Sequence, residues 1–86
     1  MEPERIVFPS EYPIKVVARA SGDLRARIDA IFVRHFGDFP PGKVTERASA
    51  ASNFTAFTYL MWVTAEEQLG RLHADLRIED GVMLVL

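Results

Sequence analysis

The sequence contains no cysteine among its 86 residues. Neither a disulfide framework nor a thiolate metal site can staple the fold, and the composition suits a reducing compartment such as the cytoplasm. There is no basic excess either: Lys and Arg number 10 against 12 Asp and Glu, for a net charge of −2. A nucleic-acid binder usually carries a basic footprint, so no nucleic acid is expected as a partner. No apolar run approaches the roughly 20 residues that cross a bilayer, so no membrane partner is expected. The opening Met1-Glu2-Pro3-Glu4-Arg5 is charged and holds a proline, unlike a signal peptide. The chain also lacks a phosphate-cradling glycine loop, a nucleophile elbow and any HxxxH or HxxE pattern. No catalytic residue, cofactor or metal is therefore assigned, and the chain reads as a non-enzyme.

What is present is enough for one small core. The hydrophobic share is 49%, at the ordinary globular level. Pro3, Pro9 and Pro13 break any early helix, so residues 1–12 read as an N-terminal arm and residues 13–86 as a single domain. Ile14 to Ala20 alternates as a strand, with Ile14, Val16 and Ala18 on one side and Lys15, Val17 and Arg19 on the other. Ser21-Gly22-Asp23 opens a helix whose Leu24, Ile28, Ile31, Phe32 and His35 recur on one face, and Gly37 ends it.

Lys43 to Ala48 reads as a weak strand in which Val44 and Glu46 share the inner side. Ser49 to Asn53 is a turn. Phe54 to Val63 is the strongest strand: Phe57, Tyr59, Met61 and Val63 face one way, and Ala56, Thr58, Leu60 and Trp62 the other. Thr64-Ala65-Glu66-Glu67 is a capping box, which predicts that Glu67 reaches back to the Thr64 amide. Ala65, Leu69, Leu72 and Leu76 make the apolar stripe of the second helix. Asp80-Gly81 then turns the chain into the strand Val82 to Leu86.

Two helices cannot cover both faces of four strands, so the economical solution packs both on one face. Right-handed crossovers put the first and third strands in the centre. The expectation is an α+β ferredoxin-like βαββαβ sandwich, a four-stranded antiparallel sheet of order 4-1-3-2.

Phe8-Pro9, Tyr12-Pro13-Ile14-Lys15-Val16-Val17, the Ser49–Phe54 turn, Glu67-Gln68-Leu69 with Leu72 and Leu76, and Val82-Met83-Leu84-Val85-Leu86 resemble the YbeD family, small bacterial cytosolic proteins of unassigned function. The resemblance covers residues 8–86. It implies a fold similar to ACT domains, which bind amino acids and related small molecules and often pair. By analogy it implies a regulatory or interaction module. The family pattern has a glycine where Ser52 stands in this turn, and small polar groups where Leu60 and Trp62 stand.

Two surfaces follow as candidates. The open face of the sheet should carry Val17, Leu60 and Trp62, joined by one alternating set of the last strand, Met83 with Val85 or Val82 with Leu84 and Leu86; it would serve a homodimer or a protein partner, or be covered by the arm through Ile6, Val7 and Phe8. The start of the first helix, with Arg19, Ser21, Gly22 and Arg25, would hold a small anionic metabolite on free amides. Alternative readings on the same scaffold are a phosphate-handling enzyme of the acylphosphatase type, from Arg19, Gly22 and Asn53, or a weak RNA binder using Trp62 with Lys15 and Arg19.

Overall fold

A computed structural model describes residues 7–20, 22–49, 51 and 53–86. The elements run β1 (Ser10–Arg19), α1 (Leu24–Phe36), β2 (Val44–Ala48), β3 (Phe54–Val63), α2 (Glu66–Ile78) and β4 (Val82–Val85). All pairings are antiparallel, and the sheet order is β2-β3-β1-β4. This is the ferredoxin-like arrangement read from the sequence, with β1 and β3 central.

β1 begins four residues before the expected start at Ile14. Ser10, Glu11 and Tyr12 already pair with Val63, Trp62 and Met61, so the end of the supposed arm is sheet. Pro13 does not interrupt it, for a reason that lies in the neighbouring strand. The Lys15 and Arg19 amides donate toward β4, to Leu86 and Gly81 at 3.1 and 2.8 Å. Pro13, two residues before Lys15, faces that same edge at a level β4 does not reach, so no ladder donor is lost. The peptide bond between Phe8 and Pro9 is cis. Residues 1–6 lie outside the described residues.

The strands expected to bury alternate residues do so. Ile14, Val16 and Ala18 from β1 and Phe57, Tyr59, Met61 and Val63 from β3 form one floor of the core. Leu24, Ile28, Ile31 and Phe32 from α1 and Leu72 and Leu76 from α2 close it from above. Phe32 stacks on the Tyr59 ring with centroids 3.7 Å apart, and Phe39 meets the same ring edge-on at 6.0 Å. An edge contact such as that of Phe39 adds about 0.5–1.5 kcal/mol beyond the area it buries.

α1 stops at Gly37, whose φ of 78° suits the residue without a Cβ. A single 3-10 turn, Pro41–Lys43, precedes β2, which starts one residue later than expected. Its inner side is as read: Val44 lies opposite Tyr59 and Glu46 opposite Phe57, both core residues of β3.

The N-terminus of α2 corrects the sequence reading. Thr64 is not the capping residue; Ala65 is, and no side chain caps the helix. Gln68, not Glu67, reaches back, its Oε1 accepting from the Thr64 amide at 3.0 Å. Its Nε2 donates to the His35 carbonyl at 3.1 Å, which ties the start of α2 to the end of α1.

Candidate partner and ligand surface

With both helices on one side, no described element covers the other side of the sheet. Register fixes its layout. Rows across β1 and β3 run Glu11–Trp62, Pro13–Leu60, Lys15–Thr58, Val17–Ala56 and Arg19–Phe54. Thr45 and Arg47 of β2 extend the Thr58 and Ala56 rows. On the far edge, Leu84 lies opposite Val17, and Leu86 exchanges backbone hydrogen bonds with Lys15.

The last strand does not alternate simply. A register shift falls between Val17 and Ala18, so Met83 is the extra residue of a bulge. Val82 and Val85 pack on the core, while Met83 and Leu84 are both exposed. Neither alternating set of β4 therefore lies wholly on the open face.

The four residues proposed for this face separate into two groups. Leu60 and Trp62 stand with Pro13 near one end. Val17 stands with Leu84 and Met83 at the other. Val17 is six residues along β1 from Glu11, a span of about 20 Å at the usual strand rise. Lys15 and Thr58 occupy the ground between them. Exposures of 60% at Trp62, 53% at Met83, 49% at Leu84 and 59% at Leu86 make both ends apolar and wet.

The start of α1 is differently committed. Gly22 and Asp23 are exposed, and Ser21 lies outside the described residues. Arg25, instead of facing an incoming anion, binds the Asp29 carboxylate through Nε at 3.0 Å and Glu46 through Nη1 at 3.1 Å. Its guanidinium also sits 5.7 Å from the centre of the Phe57 ring. Strand alternation puts Arg19 on the open side of the sheet, away from Arg25. The two arginines do not converge. Arg27 is also engaged, with Asp23 at 2.8 Å and Glu79 at 2.6 Å, which fastens α1 to the turn before β4.

Around Arg25 lies a polar network that sequence reading missed. The Tyr59 hydroxyl donates to Asp29, which also receives Arg25, which in turn holds Glu46. Burial, and then the neighbouring Asp29 carboxylate, push the Tyr59 phenol well above its ordinary value of 10.0. The spacing of Arg25 and Asp29, four apart on one helix, was a visible signal; the links to Tyr59 and Glu46 needed the register.

The turn before β3 and the end of α1 are tied within the fold. Ser49 Oγ accepts from the Phe54 amide at 3.2 Å, and the Asn53 carbonyl accepts from Ala20 at 3.1 Å. Ser52 lies outside the described residues. His35 Nε2 lies 2.6 Å from Asp75 Oδ2, a link between the two helices. Among the described residues no group of three or more His, Cys, Asp or Glu is placed to hold a metal ion, and no helix is long and apolar enough to cross a membrane.

Comparison with known proteins agrees with this architecture. A solved ACT domain from the GTP pyrophosphokinase of Chlorobium tepidum superposes with a TM-score of 0.64 at 19% identity, over 86% of this chain and 91% of that one. The C-terminal domain of the MgtC protein from Mycobacterium tuberculosis gives 0.58 at 22% identity, over 86% and 80%. At such identities the likeness concerns the fold alone. In sequence, a UPF0250 protein of Ectopseudomonas mendocina is 34% identical over 87 residues, covering 100% of this chain and 95% of the relative. A UPF0250 protein of Janthinobacterium is 33% identical over 81 residues, covering 94% and 89%. The family model described as protein of unknown function (DUF493) matches residues 3–86. In keeping with the resemblance to YbeD, the chain belongs to the DUF493 family.

Proposed function

We propose that this protein is a non-catalytic interaction module of the cytoplasm that pairs with a second copy of itself through the β4 end of its open sheet face. The observation that carries the reading is the exposure of Met83, Leu84 and Leu86 together on a strand that, among the described residues, pairs with β1 alone. An edge strand offers unpaired backbone groups to another strand, and two β4 strands related by a two-fold axis would form an isologous interface.

Charge favours this edge over a face-to-face dimer. The open face carries Lys15, Arg19 and Arg47, whereas Glu11 at its far end is held by Lys43 at 2.7 Å. Stacking two such faces brings like charges together. Pairing along β4 leaves them apart.

The gain is modest. Full burial of a large apolar side chain contributes about 1.5–3 kcal/mol, and these side chains are already about half buried. Association itself costs an estimated 4–15 kcal/mol. A weak, concentration-dependent dimer is the expected state.

Light scattering across a concentration series tests the proposal. The expected result is a mass that rises toward twice the chain mass, and that falls to the monomer value in Leu84→Ser with the circular dichroism spectrum unchanged. If Trp62→Ser rather than Leu84→Ser gives the monomer, the pairing surface is the Leu60–Trp62 end instead. A monomer at every concentration defeats the reading.

A further inference from the structure

On a chain whose net charge is −2, the open face gathers three cations of one sign. Lys15, Arg19 and Arg47 are exposed, and among the described residues none of them makes an ion pair. Arg25 and Arg27 of α1, by contrast, are each held by two carboxylates.

The register makes this a triangle with a hollow in it. Arg47 and Val17 flank Ala56 on its two sides. Lys15, Thr58 and Thr45 form the row on one side of Ala56, and Arg19 and Phe54 the row on the other. With strands about 4.8 Å apart and a rise of about 3.4 Å per residue, the three cationic Cα atoms are about 12–14 Å from one another. Ala56, the shortest side chain of these rows, leaves a depression. Two shallow concavities share it: one lined by Lys15, Thr45, Glu46, Arg47 and Thr58, the other by Val17, Arg47, Ser49 and Phe54, with Arg19 outside both linings but opposite Phe54 at the rim of the second. The Glu46 carboxylate that lines the first is neutralised by Arg25 at 3.1 Å.

We propose that this hollow over Ala56 binds a compact polyanion, the pyrophosphate-type group of a small organic phosphate. Lys15, Arg19 and Arg47 would converge on its oxygens, and the Thr45 and Thr58 hydroxyls would complete the donor set. A triangle of long cationic side chains around a small floor suits a compact, multiply charged group; an extended acidic strand would want its cations in a line. Arginine adds bidentate recognition of phosphate oxygens, and charge-assisted bonds of this kind are the strong ones. Single-stranded nucleic acid fits less well. Its aromatic platforms would be Phe54 and Trp62, eight residues apart on one strand, or about 27 Å, too far for successive bases to stack. The site does not depend on pairing through β4.

The test is a titration of the full chain with inorganic pyrophosphate, followed by amide chemical shifts and by melting temperature. Saturable shifts at Ala56, Val17, Arg47 and Thr58 are expected, with a melting temperature that climbs with ligand. Arg47→Gln should weaken binding by about tenfold or more. Ala56→Leu, which fills the hollow and removes no charge, should weaken it as well. Lys43→Gln, which removes a cation engaged elsewhere, should bind as the parent does. The Leu84→Ser variant should still bind, which separates this site from the dimer. Failure of Ala56 to respond overturns the assignment, as do shifts centred on Gly22 and Asp23 or an equal loss in Lys43→Gln. Tighter binding of citrate or of a short single-stranded oligonucleotide would also overturn it, by giving the face to a different class of ligand.

Discussion

The hydroxyl of Tyr59 donates to the carboxylate of Asp29, joining the middle of the central strand β3 to the exposed shoulder of α1. The ring lies in the core against Phe32, while its polar end reaches the boundary where Arg25 and Glu46 continue the network. A buried tyrosine needs such an outlet, because an unpaired hydroxyl in the core is costly.

Removing the hydroxyl tests that link. Tyr59→Phe keeps the ring stack, and Asp29 keeps its bond to Arg25, so the expected loss is about 0.5–1.5 kcal/mol, that of one hydrogen bond. Chemical denaturation at neutral pH measures it. The pH dependence adds a sign. The folded state raises the phenol above its ordinary value of 10.0, so it favours the neutral form. The stability this contributes is fully present below the unfolded value and is lost as pH climbs beyond it. The parent should therefore lose stability more steeply than Tyr59→Phe above about pH 10. Parallel curves for the two proteins in that range would contradict the account.

Gln68 joins two helices where sequence rules assign only a cap. Gln68→Ala removes the acceptor for the Thr64 amide and the donor to the His35 carbonyl. A loss of about 1–2 kcal/mol is expected. Glu67→Ala should cost less than about 0.5 kcal/mol, as for an ordinary exposed position. A larger loss in the glutamate variant would reinstate the capping box.

That misplacement shows where the sequence was legible. The alternation in β3 was readable because a strand half-buried on one face repeats every two residues, so Tyr59 inside and Trp62 outside were both evident. The stripe Leu72–Leu76 was readable for the same kind of reason in a helix. What the sequence did not show depends on register or on a neighbour's length. The early start of β1 rests on β4 being too short to reach Pro13. The bulge at Met83 rests on how β4 meets Val17. Arg47 joins Lys15 and Arg19 only because β2 pairs with β3 at Ala56, two strands away from Lys15. The N-terminus of α2 went wrong by one residue, since a Thr-x-x-Glu pattern fits the local chain yet takes no account of the His35 carbonyl one helix away.

Gly70 is a place where the fold has stability to gain. It lies exposed inside α2, and a Cβ built there meets nothing within 4 Å. Glycine in a helix interior costs about 0.8–1.0 kcal/mol relative to alanine, through the freedom it has in the unfolded chain. Gly70→Ala should raise stability by about that amount and leave the oligomeric state alone. Differential scanning calorimetry would show it as a melting point several degrees higher.

Gly81 presents the opposite case, and the pair of variants separates backbone effects from contact effects. It turns the chain from α2 into β4 at a φ of 98°, outside the range that residues with a Cβ readily adopt. The missing Cβ would also lie 2.9 Å from Leu24 Cδ2, a side chain buried at the start of α1. Leucine can move its methyl group only by disturbing neighbours in a core that is already close-packed. Both terms have the same sign, so Gly81→Ala should destabilise by about 1–3 kcal/mol. Gly81→Ala combined with Leu24→Val would relieve the contact but not the backbone strain. Relative to Leu24→Val alone, then, the alanine should still cost about 1 kcal/mol or more. If it costs nothing in that background, the turn tolerates a side chain, and the demand for glycine at this corner comes from Leu24 alone.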